Sequence, residues 1–168
     1  MKNSVLINSV RFIIMVLIQV TIFNHINFLG YLNPLPYILF IIAFPFRANK
    51  SLTLFLAFFI GLTLDFFDNS GGIHATACLI AAYVRQVLLR FAFGISFEHQ
   101  SLKLSRVPIN QRLIYISVFV VIHHFVFFSL EIFNLSSILY ILQKTLFTSI
   151  FTILLCLLFQ ILFSAKPK

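Results

Sequence analysis

Residues 33–50 read NPLPYILFIIAFPFRANK, and whether this stretch crosses a bilayer decides how everything around it is arranged. Pro34 and Pro36 suit the first turn of a helix and Pro45 closes the run, because proline lacks the amide proton that a helix interior needs. The residues between them make only about 18 Å of helix at about 1.5 Å per residue. A short crossing helix over 35–46 therefore competes with a re-entrant hairpin. Charge parity decides between them. Of the twelve Lys and Arg residues, all but Lys144 sit at one set of run ends: Lys2, Arg11, Arg47, Lys50, Arg85, Arg90, Lys103, Arg106, Arg112, Lys166 and Lys168. Asp65, Asp68 and Glu131 sit at the other set. Removing the 35–46 crossing would put Arg47 and Lys50 on the wrong side and invert every later segment, so the chain is read as crossing six times. By the positive-inside rule the basic side, with both termini, is cytoplasmic.

Composition agrees. With 61% hydrophobic and 10% charged residues in 168, and a mean hydropathy of +1.05, too little polar surface is left to coat a water-soluble globule. A net charge of +8 raises nucleic acid as a partner, but the cations are dispersed at run ends and not gathered on one face, so nucleic acid is excluded. They read as topology anchors beside anionic head groups of the lipid bilayer. The class is all-α: a polytopic six-helix bundle with helices over about 5–23, 35–46, 52–67, 73–95, 113–133 and 138–163, in one integral membrane domain. The first run is too long for a signal-peptide core and no small-residue cleavage site follows it. The break at 96–112 mixes Phe97, Leu102, Leu104, Val107 and Ile109 with Lys103, Arg106 and Arg112, as expected of an interfacial segment or a basic linker.

Ionisable residues within the hydrocarbon layer cost about 2.5 to 3.5 kcal/mol at midplane. Arg11, Arg85 and Arg90 are close enough to the basic boundary for their stems to snorkel out. Lys144 is expected either to pair with Asp65 or Glu131 or to snorkel outward. His123 and His124 are adjacent on a helix and diverge by about 100°, so they cannot act together on one face. Each is expected to be buried and hydrogen-bonded. Cys78 and Cys156 lie at different depths, so they read as buried hydrophobes and not as a disulfide. No metal or cofactor motif stands out, and an enzyme would need polar groups converging at depth, which the sequence does not display.

The most organised stretch is Gly61-Leu62-Thr63-Leu64-Asp65 followed by Asp68-Asn69-Ser70-Gly71-Gly72 and the run from Ile73 to Arg85. It reads as a tight helical hairpin. Asp68, Asn69 or Ser70 can cap the incoming helix, Gly71 and Gly72 allow the reversal, and a carboxylate there complements the helix dipole. On the second helix His74, Cys78 and Ala82 form one stripe and Ala77, Ala81 and Arg85 its neighbour. Small residues four apart let helix backbones approach closely in lipid, so this face is expected to be an internal helix contact or a docking face.

These residues carry a resemblance. Gly30-Tyr31-Leu32-Asn33-Pro34, the run from Leu35 to Pro45, and Gly61-Leu62-x-x-Asp65 leading through Gly71-Gly72 into an alanine-bearing helix resemble the rod shape-determining membrane protein family MreD. The resemblance implies a non-enzymatic scaffold of the bacterial cell-elongation machinery in the cytoplasmic membrane. It would partner a bitopic MreC-like protein and, through it, an MreB-like filament and the peptidoglycan polymerase and transpeptidase. It further implies a fold similar to the substrate-binding subunits of energy-coupling-factor transporters. The rival reading is such a subunit, with a vitamin-sized pocket; against it, the first helix has no Ala or Gly for the coupling face those subunits look to use. The 23 Phe residues are expected to include a surface that binds a partner's single transmembrane helix.

Overall fold

The computed structural model describes residues 2–26, 32–94, 104 and 107–163. Gly30 and Tyr31 of the resemblance, most of the 96–112 break, and Lys166 and Lys168 lie outside the described residues. Six α-helices are present among the described residues: α1 (Lys2–Thr21), α2 (Leu39–Ile42), α3 (Lys50–Asp68), α4 (Ile73–Phe93), α5 (Ile109–Ile132) and α6 (Ile138–Phe163). All but α2 are long and apolar enough to span a membrane. Their outward faces are largely apolar, as in Phe66 of α3, Phe91 of α4 and Leu139 of α6, which is what a lipid solvent favours.

The segment after α1 departs from the expected helix over 35–46. It is a 3₁₀ turn over Pro36–Ile38 followed by the single α-helical turn of α2, because the prolines on either side leave no room for more. It nevertheless runs the length of the bundle. The Pro34 carbonyl accepts from Gln19 Nε2 of α1 at 3.3 Å, and Phe40 packs edge-on against Phe12 with centroids 5.4 Å apart. The segment is therefore antiparallel to α1. Tyr37 meets His74 at the start of α4, the Phe44 carbonyl meets Arg85, and Phe46 stacks on Phe93 at the end of α4 with centroids 5.3 Å apart. From His74 to Phe93 is about 28 Å of helix. The crossing thus exists without a long helix. Irregular backbone at this depth is stable only when shielded by protein, and every residue from Leu35 to Ile42 is buried.

Contacts between the helices show how their directions alternate. Asn24, just past α1, donates to Asp68 at the end of α3, so α1 and α3 run parallel and the chain has returned between them. Glu131 with Lys144, and His124 with Thr152, set α5 antiparallel to α6. By this alternation α1 begins and α6 ends at one end of the bundle, the basic end, with Arg47, Lys50 and Arg112. Asp65, Asp68 and Glu131 mark the acidic end. Of the 96–112 break, Leu104 and Val107 are buried in the core, so these two residues pack on protein and do not lie free on a leaflet.

Candidate functional site

The hairpin of α3 and α4 is built around a steric demand at Gly61. A β-carbon there would sit 2.5 Å from Ala75 Cα, 2.6 Å from Ala75 N and 2.6 Å from the His74 carbonyl oxygen. All three are backbone atoms, so only glycine lets the helices meet this closely. Ala77, Cys78, Ala81 and Ala82 are buried further along α4, so the small-residue stripes face the interior of the bundle, Cys78 toward Tyr37 and His123. The demand at Gly71 and Gly72 is of another kind. Nothing lies within 4 Å of an added β-carbon at either, but their φ angles are +66° and +97°, which side-chain-bearing residues adopt at a cost.

The cap on α4 corrects the expected one. Gly72 holds the N-cap position, and the carboxylate that serves the helix comes from the preceding helix. Asp65 Oδ1 accepts from His74 N at 2.9 Å and Oδ2 from Ala75 N at 2.8 Å, with the Ser70 hydroxyl also donating to it. Asp65 is 6% exposed. Its charge is balanced by the open amides and the dipole at the start of α4, which makes burial tolerable. Asn69 is the C-cap of α3 in the left-handed region at φ 51°, and Asp68 faces His74 Nε2 at 3.2 Å.

From His74 the polar contacts run inward. Tyr37 Oη lies 2.9 Å from His74 Nδ1 and 3.1 Å from His123 Nε2, and Cys78 Sγ is 3.7 Å from both Tyr37 Oη and His123 Nε2. The proton directions follow from valence. A neutral His74 donating from Nε2 to the Asp68 carboxylate presents Nδ1 as an acceptor. Tyr37 then donates to His74, and its oxygen accepts from His123 Nε2–H. His123 and His124 are both buried, as expected, and they serve separate networks. His124 donates from Nδ1 to the Val120 carbonyl at 2.8 Å, leaving Nε2 to accept from Thr152 Oγ1 at 3.1 Å, while Thr152 accepts from Leu35 N at 3.1 Å. Tyr37, His74, Cys78 and His123 converge at depth from three parts of the chain, against the expectation that no such convergence exists. The missed signal was Tyr37, a hydroxyl inside a proline-bounded apolar run that lipid alone does not explain. Among the described residues, no three His, Cys, Asp or Glu side chains come together as a metal site.

Two further expectations resolve at the charged residues. Lys144 pairs with Glu131, Nζ to Oε2 at 2.7 Å, with Nζ also 4.7 Å from the Phe128 ring centroid; Asp65 is committed elsewhere. The Glu131 side chain is 41% exposed, so the pair contributes about 0 to 1 kcal/mol. Arg85 overturns the snorkelling expectation. It is 1% exposed, donates from Nη2 to the Phe44 carbonyl, and lies 5.9 Å from the Phe46 ring centroid. Buried by the central segment, its side chain cannot reach the boundary. Arg11 and Arg90 are exposed, and Cys78 and Cys156 are both free thiols.

The fold thus brings Gly61, Asp65, Asp68, Gly72 and His74 into one assembly at the acidic end, while Ala77 and Ala81 are buried further along α4. Gly71 shapes its turn, Glu131 and Lys144 form a separate pair, and Arg85 stands apart toward the basic end. No family model matches the chain, and no curated protein or solved structure matches it.

Proposed function

We propose that the chain is a non-enzymatic membrane scaffold of the MreD type, which holds an MreC-like single-pass protein and through it the peptidoglycan-synthesis machinery. The observation that carries the reading is the coupling of the Gly61 seam to the opposite face of α3. There Phe55, Phe59 and Phe66 are 57, 41 and 83% exposed. Locking α3 to α4 at Gly61 fixes the direction of this aromatic ridge, and large rigid side chains on a fixed helix suit an apolar partner helix. The residues that carry the resemblance, Gly61, Asp65, Gly71 and Gly72, are those that build the joint.

Against the vitamin-type transport subunit stands the central segment. Tyr37, Ile38 and Ile42 are fully buried on the axis of the bundle, the space a ligand pocket between helices would use.

Affinity capture of the full chain from bacterial membranes, followed by mass spectrometry, should recover a single-pass partner with an MreC-like helix. Changing Phe55, Phe59 and Phe66 together to Ala should lose it, while the same change at Phe91 and Phe133, exposed elsewhere, should not. A wild-type chain that elutes alone and monodisperse, or a partner indifferent to the ridge, would reject the proposal.

We further place the chain in the bacterial cytoplasmic membrane with its basic end in the cytoplasm, on the strength of Arg47, Lys50, Arg90 and Arg112 at that end. A cysteine at Ala48 should be protected from an impermeant thiol reagent in intact spheroplasts and labelled after lysis. Both native thiols are buried, so labelling before lysis would mean the opposite orientation.

A further inference from the structure

The three described acids, Asp65, Asp68 and Glu131, are all at the acidic end, and Arg85 is far from them. Ala75, which Asp65 binds, precedes Arg85 on α4 by about 15 Å of helix. The Tyr115 hydroxyl lies beside the Arg85 guanidinium and Nη2 has the Phe44 carbonyl, yet Nε and Nη1 are buried with no hydrogen bond of good geometry. A buried guanidinium with two unmet donors in a membrane bundle calls for an anion, since an uncompensated charge in so dry a site is far costlier than a neutral orphan.

A second cation lies close in depth. Arg112 Nε is also buried without a partner. One turn on, Tyr115 donates to the Ile42 carbonyl at 3.4 Å and packs against Phe46, the ring beside Arg85, with centroids 6.2 Å apart. Gln160 adds a third polar group, with both amide atoms buried and unpartnered. Continuing the α5–α6 register set by Glu131 with Lys144 and His124 with Thr152 brings Gln160 level with Tyr115 and Ile116. Unmet donors from α4, α5 and α6 therefore share one layer toward the basic end, and Arg112, only partly buried, links that layer to the surface.

We propose that Arg85 and Arg112 form an anion site for a phosphate group, either the phosphodiester of an anionic phospholipid head group or free inorganic phosphate. Two guanidinium groups from different helices match two oxygens of one tetrahedral anion, the geometry in which arginine exceeds lysine. Because Arg85 also holds the Phe44 carbonyl, the occupied site would fasten the irregular central segment to α4. This inference does not depend on the scaffold reading.

The test uses the full chain purified in neutral detergent, with thermal unfolding and native mass spectrometry as readouts. Phosphatidylglycerol in mixed micelles should raise the wild-type melting temperature and remain bound as one lipid. Arg85→Gln should abolish the shift, and Arg112→Gln should weaken binding about tenfold, the loss of one charge-assisted hydrogen bond. Stabilisation by inorganic phosphate alone would support the site and assign it to the free anion. Should Arg85→Gln not fold, Arg85→Lys keeps the charge and should bind about tenfold more weakly. Wild-type behaviour in both Arg85→Lys and Arg112→Gln would overturn the site, as would a wild-type melt indifferent to both probes. Glu98 lies outside the described residues, and Glu98→Gln should leave stability and the lipid response unchanged. If it instead destabilises as much as Arg85→Gln, with the double variant no worse than either, the counter-ion is the chain's own carboxylate and the proposal fails.

Discussion

Gly61→Ala should be among the most damaging single-methyl additions in this chain, costing about 3 kcal/mol or more. Overpacking a well-filled core typically costs about 1 to 3 kcal/mol, because side chains can shift rotamer to make room. Here the added carbon meets Ala75 Cα, Ala75 N and the His74 carbonyl, all within 2.6 Å, and no rotamer relieves a clash with backbone. The helices must part, which loosens the start of α4 and pulls Asp65 away from the amides it serves. Gly71→Ala is the control. Its added carbon meets nothing, so only its left-handed φ of +66° is penalised, at about 1 kcal/mol. Thermal and SDS-induced unfolding in detergent would compare them; a Gly61→Ala protein as stable as Gly71→Ala would show that the seam is looser than its geometry.

Asp65→Ala should cost about 3 kcal/mol or more. Two backbone amides at the start of α4 would lose charged acceptors, each bond contributing about 1.5 to 3 kcal/mol. Water is excluded there, since His74 is 2% and Ala75 3% exposed. Ser70 would lose its partner too. Asp65→Asn separates the charge from the hydrogen bonds. Its single carbonyl can take one amide, while the other faces an NH₂ group, so a loss of about 2 kcal/mol is expected. The same unfolding assay, with far-UV dichroism to follow helix content, checks the order alanine, then asparagine, then wild type. A stable Asp65→Ala protein would mean that the start of α4 is held by packing alone, as a strong enough Gly61 seam could achieve.

Much of the architecture was legible because lipid imposes simple rules. The long helices appear as apolar runs, and α6 falls on the expected 138–163 since nothing within it breaks a helix. The α3–α4 turn was readable from Gly71 and Gly72, whose freedom at positive φ is a local property. Elsewhere the local signal misled. The 35–46 crossing was legible as a crossing but not as a 3₁₀ turn with one helical turn, because charge parity counts crossings and is blind to backbone conformation. Asp68, Asn69 and Ser70 looked like caps by proximity, whereas Asp65 reaches the amides because the close packing at Gly61 brings the end of α3 over the start of α4. Arg85 looked able to snorkel because depth along a helix is readable and the neighbour standing across its path is not.

By itself the sequence determined that the chain lives in lipid, how its charges sort between two ends, how many times it crosses, and where small residues permit helices to touch. These follow from transfer free energies and local backbone freedom, which each residue carries with it. The tertiary structure alone decided that Tyr37 joins His74 and His123, 37 and 86 positions away, that Asp65 caps α4, and that Arg85 is enclosed with donors to spare. Those pairings depend on the relative rotation and register of helices far apart in the chain, set when the bundle packs as a whole.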